Sequence, residues 1–315
     1  MRAAVIDRYG PPEVVRVAEV PRPTPGAGHV VVRVCAVAVT SGDARIRGAR
    51  FPPGFGLFAR LAFGVARPRR SILGMSFSGE VSEVGPEVHD LSPGDPVCAM
   101  TGMSMGAHAE YVAVKATRLA RTPLGVRHED AAGMLFGGTT AWYFLRDRAN
   151  VGPGVSVLVN GASGAVGTNA VQLAHQLGAT VTAVTSSANL ELVRELGAHD
   201  VIDHTVQDVA DTTERFDVVL DTVGNLSIAS GRRLLTERGK LLLAVAGLGD
   251  MIRARGDVAA GTAPERVADI DQLLEMVADE RLTVVLDEVL GLDEIVQAYR
   301  RVDSGHKVGN LVLRP

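Results

Sequence analysis

The pattern of apolar and polar positions changes about 120 residues into this chain of 315 residues. Before that point, short apolar runs are separated by clusters of glycine and proline, which is typical of β-strands joined by turns. Three of these runs predict strands at 30–37, 78–84 and 110–114. Between residues 123 and 262, apolar runs alternate with amphipathic segments. This alternation predicts a parallel sheet with helices on both faces.

The alternating region predicts strands at 155–159, 180–185, 216–221 and 240–245, with helices at 170–178, 189–196 and 227–235. The C-terminal residues predict helices at 267–277 and 292–302, with strands at 282–289 and 309–313. The sequence shows no internal repeat and no low-complexity segment.

A glycine-rich turn joins the first strand of the alternating region to its first helix. It places glycine at every third position, at Gly161, Gly164 and Gly167. Glycine lets the backbone turn sharply and approach a pyrophosphate, and the N–H groups at the helix N-terminus then face that anion. The turn predicts dinucleotide binding, although the same glycines could serve packing alone. The expected contacts are Gly161, Ser163, Gly164, Ala165, Val166 and Gly167.

Composition excludes several classes of protein. Apolar residues make up 46% of the chain and charged residues 22%, which is ordinary for a globular protein. A net charge of −4 argues against a nucleic-acid partner. No apolar stretch approaches the roughly 20 residues that span a bilayer, so no membrane partner is expected. Two cysteines fit a reducing compartment, and we predict a cytoplasmic protein.

Several segments carry a family resemblance: 74–85 (G-x-x-x-x-G-x-V-x-x-V-G), 94–97 (G-D-x-V), 160–167, 216–224 and 305–313. With them the chain resembles the medium-chain dehydrogenase/reductase superfamily, and within it the zinc-free quinone oxidoreductase-like branch. The resemblance implies an α/β fold and a homodimer. A β-rich GroES-like catalytic domain would comprise 1–122, completed by 263–315. A Rossmann domain with a doubly wound parallel sheet would comprise 123–262, with the active site in the cleft between them.

Residue types argue against a metal. Zinc-dependent relatives carry a cysteine at the place of Thr40, and Gly-His-Glu at the place of residues 74–76. Thr40, Met75 and Ser76 are poor ligands for Zn²⁺, so we predict no metal site. Thr40 and Ser76 also replace an asparagine and an aspartate that are frequent in this branch. They are the only candidates for a catalytic side chain, each could be structural, and solvent could supply the proton instead.

The predicted cofactor is NADPH, favoured over NADH. NAD-binding folds place an acid about 20 residues after the glycine turn, to hold the ribose 2′-hydroxyl. This chain has no acid at 185–189, whereas Ser186, Ser187 and Asn189 could donate hydrogen bonds to a 2′-phosphate. The serines could also form a plain helix cap that serves either cofactor. NADPH-dependent relatives usually carry a basic residue at the place of Ala188 and often a tyrosine at that of His204, and both departures weaken the phosphate site.

The remaining cofactor contacts come from the resemblance alone. It implies that Thr140 lies near the nicotinamide and that Asn310 approaches the adjoining phosphate. The cofactor cleft would be lined by Val223, Gly224, Val245 and Ala246. Each of these residues could instead have a purely structural role.

Taken together, the sequence predicts an NADPH-dependent, zinc-independent oxidoreductase. Its substrate would be a small molecule, either a quinone or the activated C=C bond of an α,β-unsaturated carbonyl. An enoyl reductase of secondary metabolism or of thioesters is the alternative enzyme. A low-turnover NADPH-binding protein with a structural or regulatory role is the alternative from another class. One basic stretch, 45–70, carries seven arginines interleaved with phenylalanines, and it would either border a large or anionic substrate or form a solvated loop.

Overall fold

The computed structural model describes all 315 residues, and they divide into two compact units. The first unit comprises 1–51, 56–136 and 265–315, and the second comprises 52–55 and 137–264. The sequence predicted the first division at 122, whereas the structure has it after residue 136, inside a continuous helix. Residues 52–55 group with the second unit because the Leu248 N–H donates to the Pro53 carbonyl over 2.8 Å.

Fifteen strands are present. In chain order β1 to β15 are Arg2–Ile6, Val15–Glu19, His29–Ala38, Ser76–Val84, Pro96–Met100, Tyr111–Lys115, Ala120–Arg121, Ser156–Asn160, Thr180–Thr185, Asp200–Asp203, Phe216–Asp221, Leu235–Leu243, Val258–Ala260, Leu286–Gly291 and Asn310–Arg314.

Nine α-helices accompany them. In chain order α1 to α9 are Ser41–Arg47, Gly56–Phe63, His128–Trp142, Ala165–Gln176, Leu190–Glu195, Ile228–Arg233, Leu248–Arg253, Val267–Ala278 and Ile295–Asp303. A π-helical turn, Tyr143–Ala149, continues α3 and ends at Asn150 in the left-handed conformation. None of these helices has the length and apolar character needed to cross a bilayer.

The second unit contains a six-stranded parallel sheet in the order β10-β9-β8-β11-β12-β13. Its central strands are apolar on both faces, as expected where helices cover both sides. The buried side chains on and around them include Leu158, Val184, Val219 and Leu241. The predicted α/β class with a doubly wound parallel sheet is confirmed.

The first unit is built on a largely antiparallel seven-stranded sheet in which β14, β15, β3, β4, β5 and β7 follow one another and β6 also pairs with β3. The C-terminal strand β15 pairs with β3, so the end of the chain completes this unit, as the resemblance implied. Its core contains Val30, Phe77, Val97, Tyr299 and Leu311 among many buried side chains.

Some boundaries of helices and strands differ from the predicted ones, where the pattern of apolar residues is ambiguous. The strands at 180–185 and 216–221 have their predicted bounds. The helix predicted at 170–178 begins earlier, at Ala165, directly after the glycine turn. The strand predicted at 282–289 forms instead at Leu286–Gly291, and Leu282 is a buried residue outside it. The basic stretch 45–70 contains the end of α1 and the whole of α2, and Leu57 and Phe58 on α2 are 70% and 61% exposed.

A buried arginine anchors α1 to α9. The Arg47 side chain at the end of α1 has no solvent exposure and pairs with Asp303 at the end of α9, which is 17% exposed. Arg47 also donates to the Gly10 carbonyl over 2.6 Å, and its guanidinium lies 4.9 Å from the centre of the Tyr299 ring. Asp303 pairs with a second arginine, Arg50, which is 56% exposed. A buried charge requires its partners, so this group fixes the position of α1.

These two arginines allow a matched comparison of stability. We expect Arg47→Met to lower the free energy of unfolding by about 3–5 kcal/mol, because it leaves Asp303 and the Gly10 carbonyl without a buried donor. Arg50→Met removes an exposed partner of the same carboxylate and should cost at most about 1 kcal/mol. Urea unfolding followed by circular dichroism measures both values. Equal effects of the two substitutions would contradict a special role for burial.

Candidate cofactor-binding site

The chain order of the parallel sheet creates a crevice beside β8. From β8 the chain proceeds outward to β9 and β10, then returns to β11 on the other side of β8. Loops that leave neighbouring strands in opposite directions separate at such a point, and ligands of open α/β sheets bind there. Asn160 ends β8 and Asp221 ends β11, and these two residues are paired in the register of the sheet.

The glycine turn after β8 is closely packed. Gly161 has φ +84°, and a Cβ there would lie 2.6 Å from both Thr222 and Val223. A Cβ at Gly167 would lie 2.1 Å from the Gly161 carbonyl oxygen, closer than any side chain tolerates. These two glycines are therefore required for the turn to close and for α4 to begin directly after the strand.

Gly164 differs from its two neighbours because its missing side chain leaves a space. It is the N-cap of α4 with φ −80°, and a Cβ there would meet only the Gly161 carbonyl oxygen, at 3.5 Å. The first-turn N–H groups of Ala165, Val166 and Gly167 have no partner within the helix, and no side chain caps them. The turn thus presents free donors and the positive end of a helix dipole beside an open volume. A pyrophosphate fits this arrangement.

One buried carboxylate organises the loop that follows β11. Asp221 has no solvent exposure and accepts hydrogen bonds from the N–H groups of Val223 and Gly224, both over 3.0 Å, and of Leu226 over 3.1 Å. It also accepts from the Asn160 side chain over 3.0 Å, which joins this loop to the end of β8. The loop is consequently held against the glycine turn.

The loop after β12 packs on the same place. The Ala244 N–H donates to the Asp221 carbonyl over 3.0 Å, and a Cβ at Gly224 would lie 2.7 Å from the Val245 side chain. Ala246 follows Val245 and packs against the core of this unit. The structure therefore brings Val223, Gly224, Val245 and Ala246 to the carboxyl edge of the sheet beside the glycine turn, while Val223 remains 50% exposed.

Helix α3 reaches the start of α4 through a third close glycine contact. A Cβ at Gly137 would lie 2.1 Å from the Ala165 carbonyl oxygen and 2.9 Å from the Asn169 side-chain nitrogen. The predicted site residue Thr140 lies three positions further along α3 and is half-buried. The second unit thus places Thr140 on the helix that packs against the N-terminus of α4.

A small polar cluster joins the glycine turn to the end of β9. The Ser163 hydroxyl accepts hydrogen bonds from the Thr185 hydroxyl over 2.8 Å and from the Asn189 side chain over 3.3 Å. Asn189 also donates to the Ser186 hydroxyl over 3.2 Å. Two of the predicted site residues, Ser163 and Ser186, are therefore joined through a third, Asn189.

Ser187 points to a different partner, which the sequence did not reveal. Its hydroxyl donates to the carboxylate of Asp203, the last residue of β10. The hydroxyl of Ser187 and that of Thr205, which also donates to Asp203, lower the pKa of that carboxyl. Residues 185–189 contain no acid, yet folding brings one to Ser187 from 16 positions further along the chain. The side chain of His204, next to Asp203, is exposed.

The remaining predicted residues lie in the first unit. Thr40 caps α1: its hydroxyl donates to Asp43 over 2.6 Å and accepts from the Asp43 N–H over 3.2 Å. Ser76 begins β4, is fully buried, and its hydroxyl has no hydrogen-bond partner in the protein. Asn310 begins β15, is buried, and its side-chain amide donates to the Val285 carbonyl over 3.1 Å.

Substitution of Gly164 tests this site directly. We expect Gly164→Val to weaken NADPH and NADH binding by about 100-fold or more, or about 2.8 kcal/mol, because the side chain would fill the volume in front of the α4 donors. Since φ is −80° there, the variant should fold normally, as measured by circular dichroism. Gly152→Val is the matched control, because Gly152 precedes β8 at the opposite edge of the sheet and a Cβ there meets no atom within 4 Å. Unchanged affinity in a folded Gly164→Val variant would contradict the site.

Comparison with known proteins agrees with this geometry. An alcohol dehydrogenase GroES-like domain matches residues 26–124, and a zinc-binding dehydrogenase family matches residues 196–313. The zebrafish (Danio rerio) mitochondrial NAD(P)H oxidoreductase RTN4IP1 is 30% identical, with 99% of this chain and 91% of that protein aligned. The chloroplastic NADPH-dependent alkenal/one oxidoreductase of Arabidopsis thaliana is 28% identical, over 100% of this chain and 80% of that protein.

Among solved structures, the quinone oxidoreductase from Coxiella burnetii superimposes with a TM-score of 0.90 at 27% identity, over 100% of this chain and 99% of that one. The matched domains, the full-length relatives and the parallel sheet with its glycine turn all lead to one assignment. The chain belongs to the medium-chain dehydrogenase/reductase superfamily, as a quinone-oxidoreductase-like enzyme with a nicotinamide cofactor.

Proposed function

We propose that the protein is an NADPH-dependent, zinc-independent oxidoreductase that reduces a quinone or the activated C=C bond of an α,β-unsaturated carbonyl. The observation that supports the cofactor part most strongly is the open N-terminus of α4 beside Gly164. The relatives named above, an NAD(P)H oxidoreductase and an alkenal/one oxidoreductase, support the choice of reaction. A bound nicotinamide supplies the hydride in this chemistry.

The residues at the zinc positions of related dehydrogenases narrow the substrate class. Thr40 is engaged in capping α1, Met75 offers only a thioether, and Ser76 is a buried hydroxyl. Reduction of a simple carbonyl needs a Lewis acid or a strong donor at the developing alkoxide. A quinone or an enone spreads that charge over a conjugated system, and its oxygen can be protonated by solvent. We therefore favour a conjugated acceptor.

Within the first unit, Ser76 is a better candidate than Thr40 for a polar contact with substrate. A buried hydroxyl without a partner costs free energy that a ligand or a water molecule can recover. The Thr40 hydroxyl is already bonded to Asp43 at both its donor and acceptor sites. Reduction of a conjugated acceptor would then use Ser76 as a hydrogen-bonding residue, with the proton itself supplied by solvent.

The preference for NADPH is supported by the hydroxyl donors of Ser163 and Ser186, which the Asn189 amide holds together where the 2′-phosphate would lie. The Asp203 carboxylate beside Ser187 opposes that preference, since it repels a phosphate and could accept from a ribose hydroxyl. Asp203 already accepts bonds from Ser187 and from both the N–H and the hydroxyl of Thr205. These existing bonds occupy much of the acceptor capacity of Asp203, so we keep NADPH as the proposed cofactor.

The cytoplasmic location and the homodimer remain predictions. Light scattering of the purified protein would measure its mass in solution, and twice the chain mass of 33.1 kDa is the expected value.

The cofactor prediction is tested with wild type and one variant. Fluorescence titration should give tighter binding of NADPH than of NADH. Asp203→Asn should raise the NADPH affinity several-fold by removing a like charge, and should leave the NADH affinity nearly unchanged. A wild-type preference for NADH that is lost in Asp203→Asn would show that Asp203 binds the ribose, and NADPH would then be the wrong cofactor.

The reaction is tested with a substrate panel. NADPH oxidation should be fastest with a quinone or an enone, and should keep its rate after prolonged treatment with EDTA, because no zinc ligand is present at the positions of Thr40, Met75 and Ser76. Activity confined to an enoyl thioester would select the enoyl reductase alternative. Binding of NADPH without turnover of any acceptor would select the structural or regulatory alternative. Loss of turnover with EDTA, restored by zinc, would contradict zinc independence.

A contribution of Ser76 is measurable by substitution. We expect Ser76→Ala to lower kcat/KM for the best acceptor by about tenfold, or about 1.4 kcal/mol of transition-state stabilisation. Its NADPH affinity should be unchanged. Thr40→Val should instead lower the free energy of unfolding by about 1 kcal/mol, the usual cost of a lost N-cap. Equal kcat/KM in Ser76→Ala and wild type would show that Ser76 does not contribute to the reaction. Solvent and the cofactor would then supply the proton and the hydride without it.

A further inference from the structure

Three side chains with different ligand atoms meet on one face of the first unit. The Cys35 sulfur, a Glu80 carboxylate oxygen and a His128 ring nitrogen all lie within 4.8 Å of one another. None of them was expected to form a site, because they are far apart along the chain and match no zinc spacing. We propose that Cys35, Glu80 and His128 bind one divalent transition-metal ion, with Zn²⁺ the best match, at a site separate from the zinc positions of related dehydrogenases.

The spacing is close to that of a bound ion. Zinc binds sulfur at about 2.3 Å and nitrogen or oxygen at about 2.0–2.2 Å, so tetrahedral ligands lie roughly 3.3–3.7 Å apart. The three ligand atoms lie within 4.8 Å of one another, so each pair would have to approach by at most about 1.5 Å to reach that spacing. Sulfur, imidazole nitrogen and carboxylate oxygen are the three ligand types that Zn²⁺ uses in proteins. Three protein ligands leave a fourth position for water.

The backbone holds the three residues on rigid elements. Cys35 lies on β3 where the register with β4 shifts between Val34 and Ala36, and Glu80 lies opposite Arg33 on the neighbouring strand. Arg33 and Cys35 are two positions apart, so their side chains share a face of the sheet. His128 is the first residue of α3. All three ligand residues are half-buried, which limits competition from solvent while leaving a path for an ion.

The neighbours of His128 prepare it for metal binding. The Ser78 hydroxyl donates to the Val97 carbonyl over 3.2 Å and lies 2.8 Å from His128 Nδ1. With its hydrogen directed at Val97, the Ser78 oxygen accepts from Nδ1–H, and the lone pair of the ring is then on Nε2. A ligating histidine is ordinarily oriented by a hydrogen bond to its other nitrogen in this way.

The charges around the cluster suit a cation. Glu80 and Glu129 place negative charge near the Cys35 sulfur, and Arg33 places positive charge there. An ion would replace the thiol proton in this field. Arg33 donates to Glu80 over 2.7 Å, and since both side chains are more than 40% exposed this pair is weak and can reorganise around a metal.

The test uses the whole protein after removal of metal by chelator and dialysis, with Co²⁺ and Zn²⁺ as probes. Co²⁺ should bind one per chain and give a thiolate-to-cobalt charge-transfer band in the near ultraviolet. Zn²⁺ should displace it and should raise the Tm, because it binds only the folded chain. Cys35→Ser should abolish the band, and His128→Gln should weaken Co²⁺ binding about tenfold or more.

Two matched controls separate ligation from structural effects. Cys98→Ser alters the other cysteine, which is fully buried on β5 outside the cluster, and should leave the band intact. Arg33→Met removes the same ion pair as Glu80→Gln but no ligand, so only Glu80→Gln should weaken metal binding. Circular dichroism and NADPH titration confirm that each variant is folded. Absence of the band in wild type, its persistence in Cys35→Ser, or equal loss of affinity in Arg33→Met and Glu80→Gln would overturn the site.

Discussion

The buried carboxylate of Asp221 holds together the loops at the carboxyl edge of the parallel sheet. Four groups donate to it: the Asn160 side chain and the N–H groups of Val223, Gly224 and Leu226. A carboxylate with no solvent exposure is stable only when its acceptor sites are filled. Filling them fixes the loop after β11 against the turn after β8, and the geometry of the candidate cofactor site follows from this arrangement.

Glycine residues also shape this region, because some allow close backbone packing and one leaves an open space. A Cβ at Gly137 or at Gly167 would come within 2.1 Å of a carbonyl oxygen, so α3, the turn and α4 approach as closely as backbones allow. Gly164 has no such neighbour, and the free N–H groups of α4 face the space that it leaves. Two kinds of glycine therefore coexist in one turn: those that permit packing, and one that leaves the first N–H groups of α4 uncovered.

Local features of the site could be predicted from the sequence, because strand, glycine turn and helix follow one another within a few residues. The α/β class and the position of the glycine turn depend only on such local order. The role of Asp221 could have been suspected from its place at the end of an apolar strand. The contact of Asp203 with Ser187 could not be predicted, since only the pairing of β10 with β9 brings the two residues together. The cluster of Cys35, Glu80 and His128 also depends on long-range pairing, including a register shift that no sequence pattern indicates.

The N-terminus of α4 is the proposed binding site of the cofactor pyrophosphate. A crystal structure of the complex with NADPH tests this most directly. We predict pyrophosphate oxygens within hydrogen-bond distance, about 2.7–3.2 Å, of the N–H groups of Ala165, Val166 or Gly167, with the nicotinamide beside the loops that contain Gly224 and Val245. A pyrophosphate bound elsewhere, with the α4 N-terminus covered only by solvent, would contradict the account.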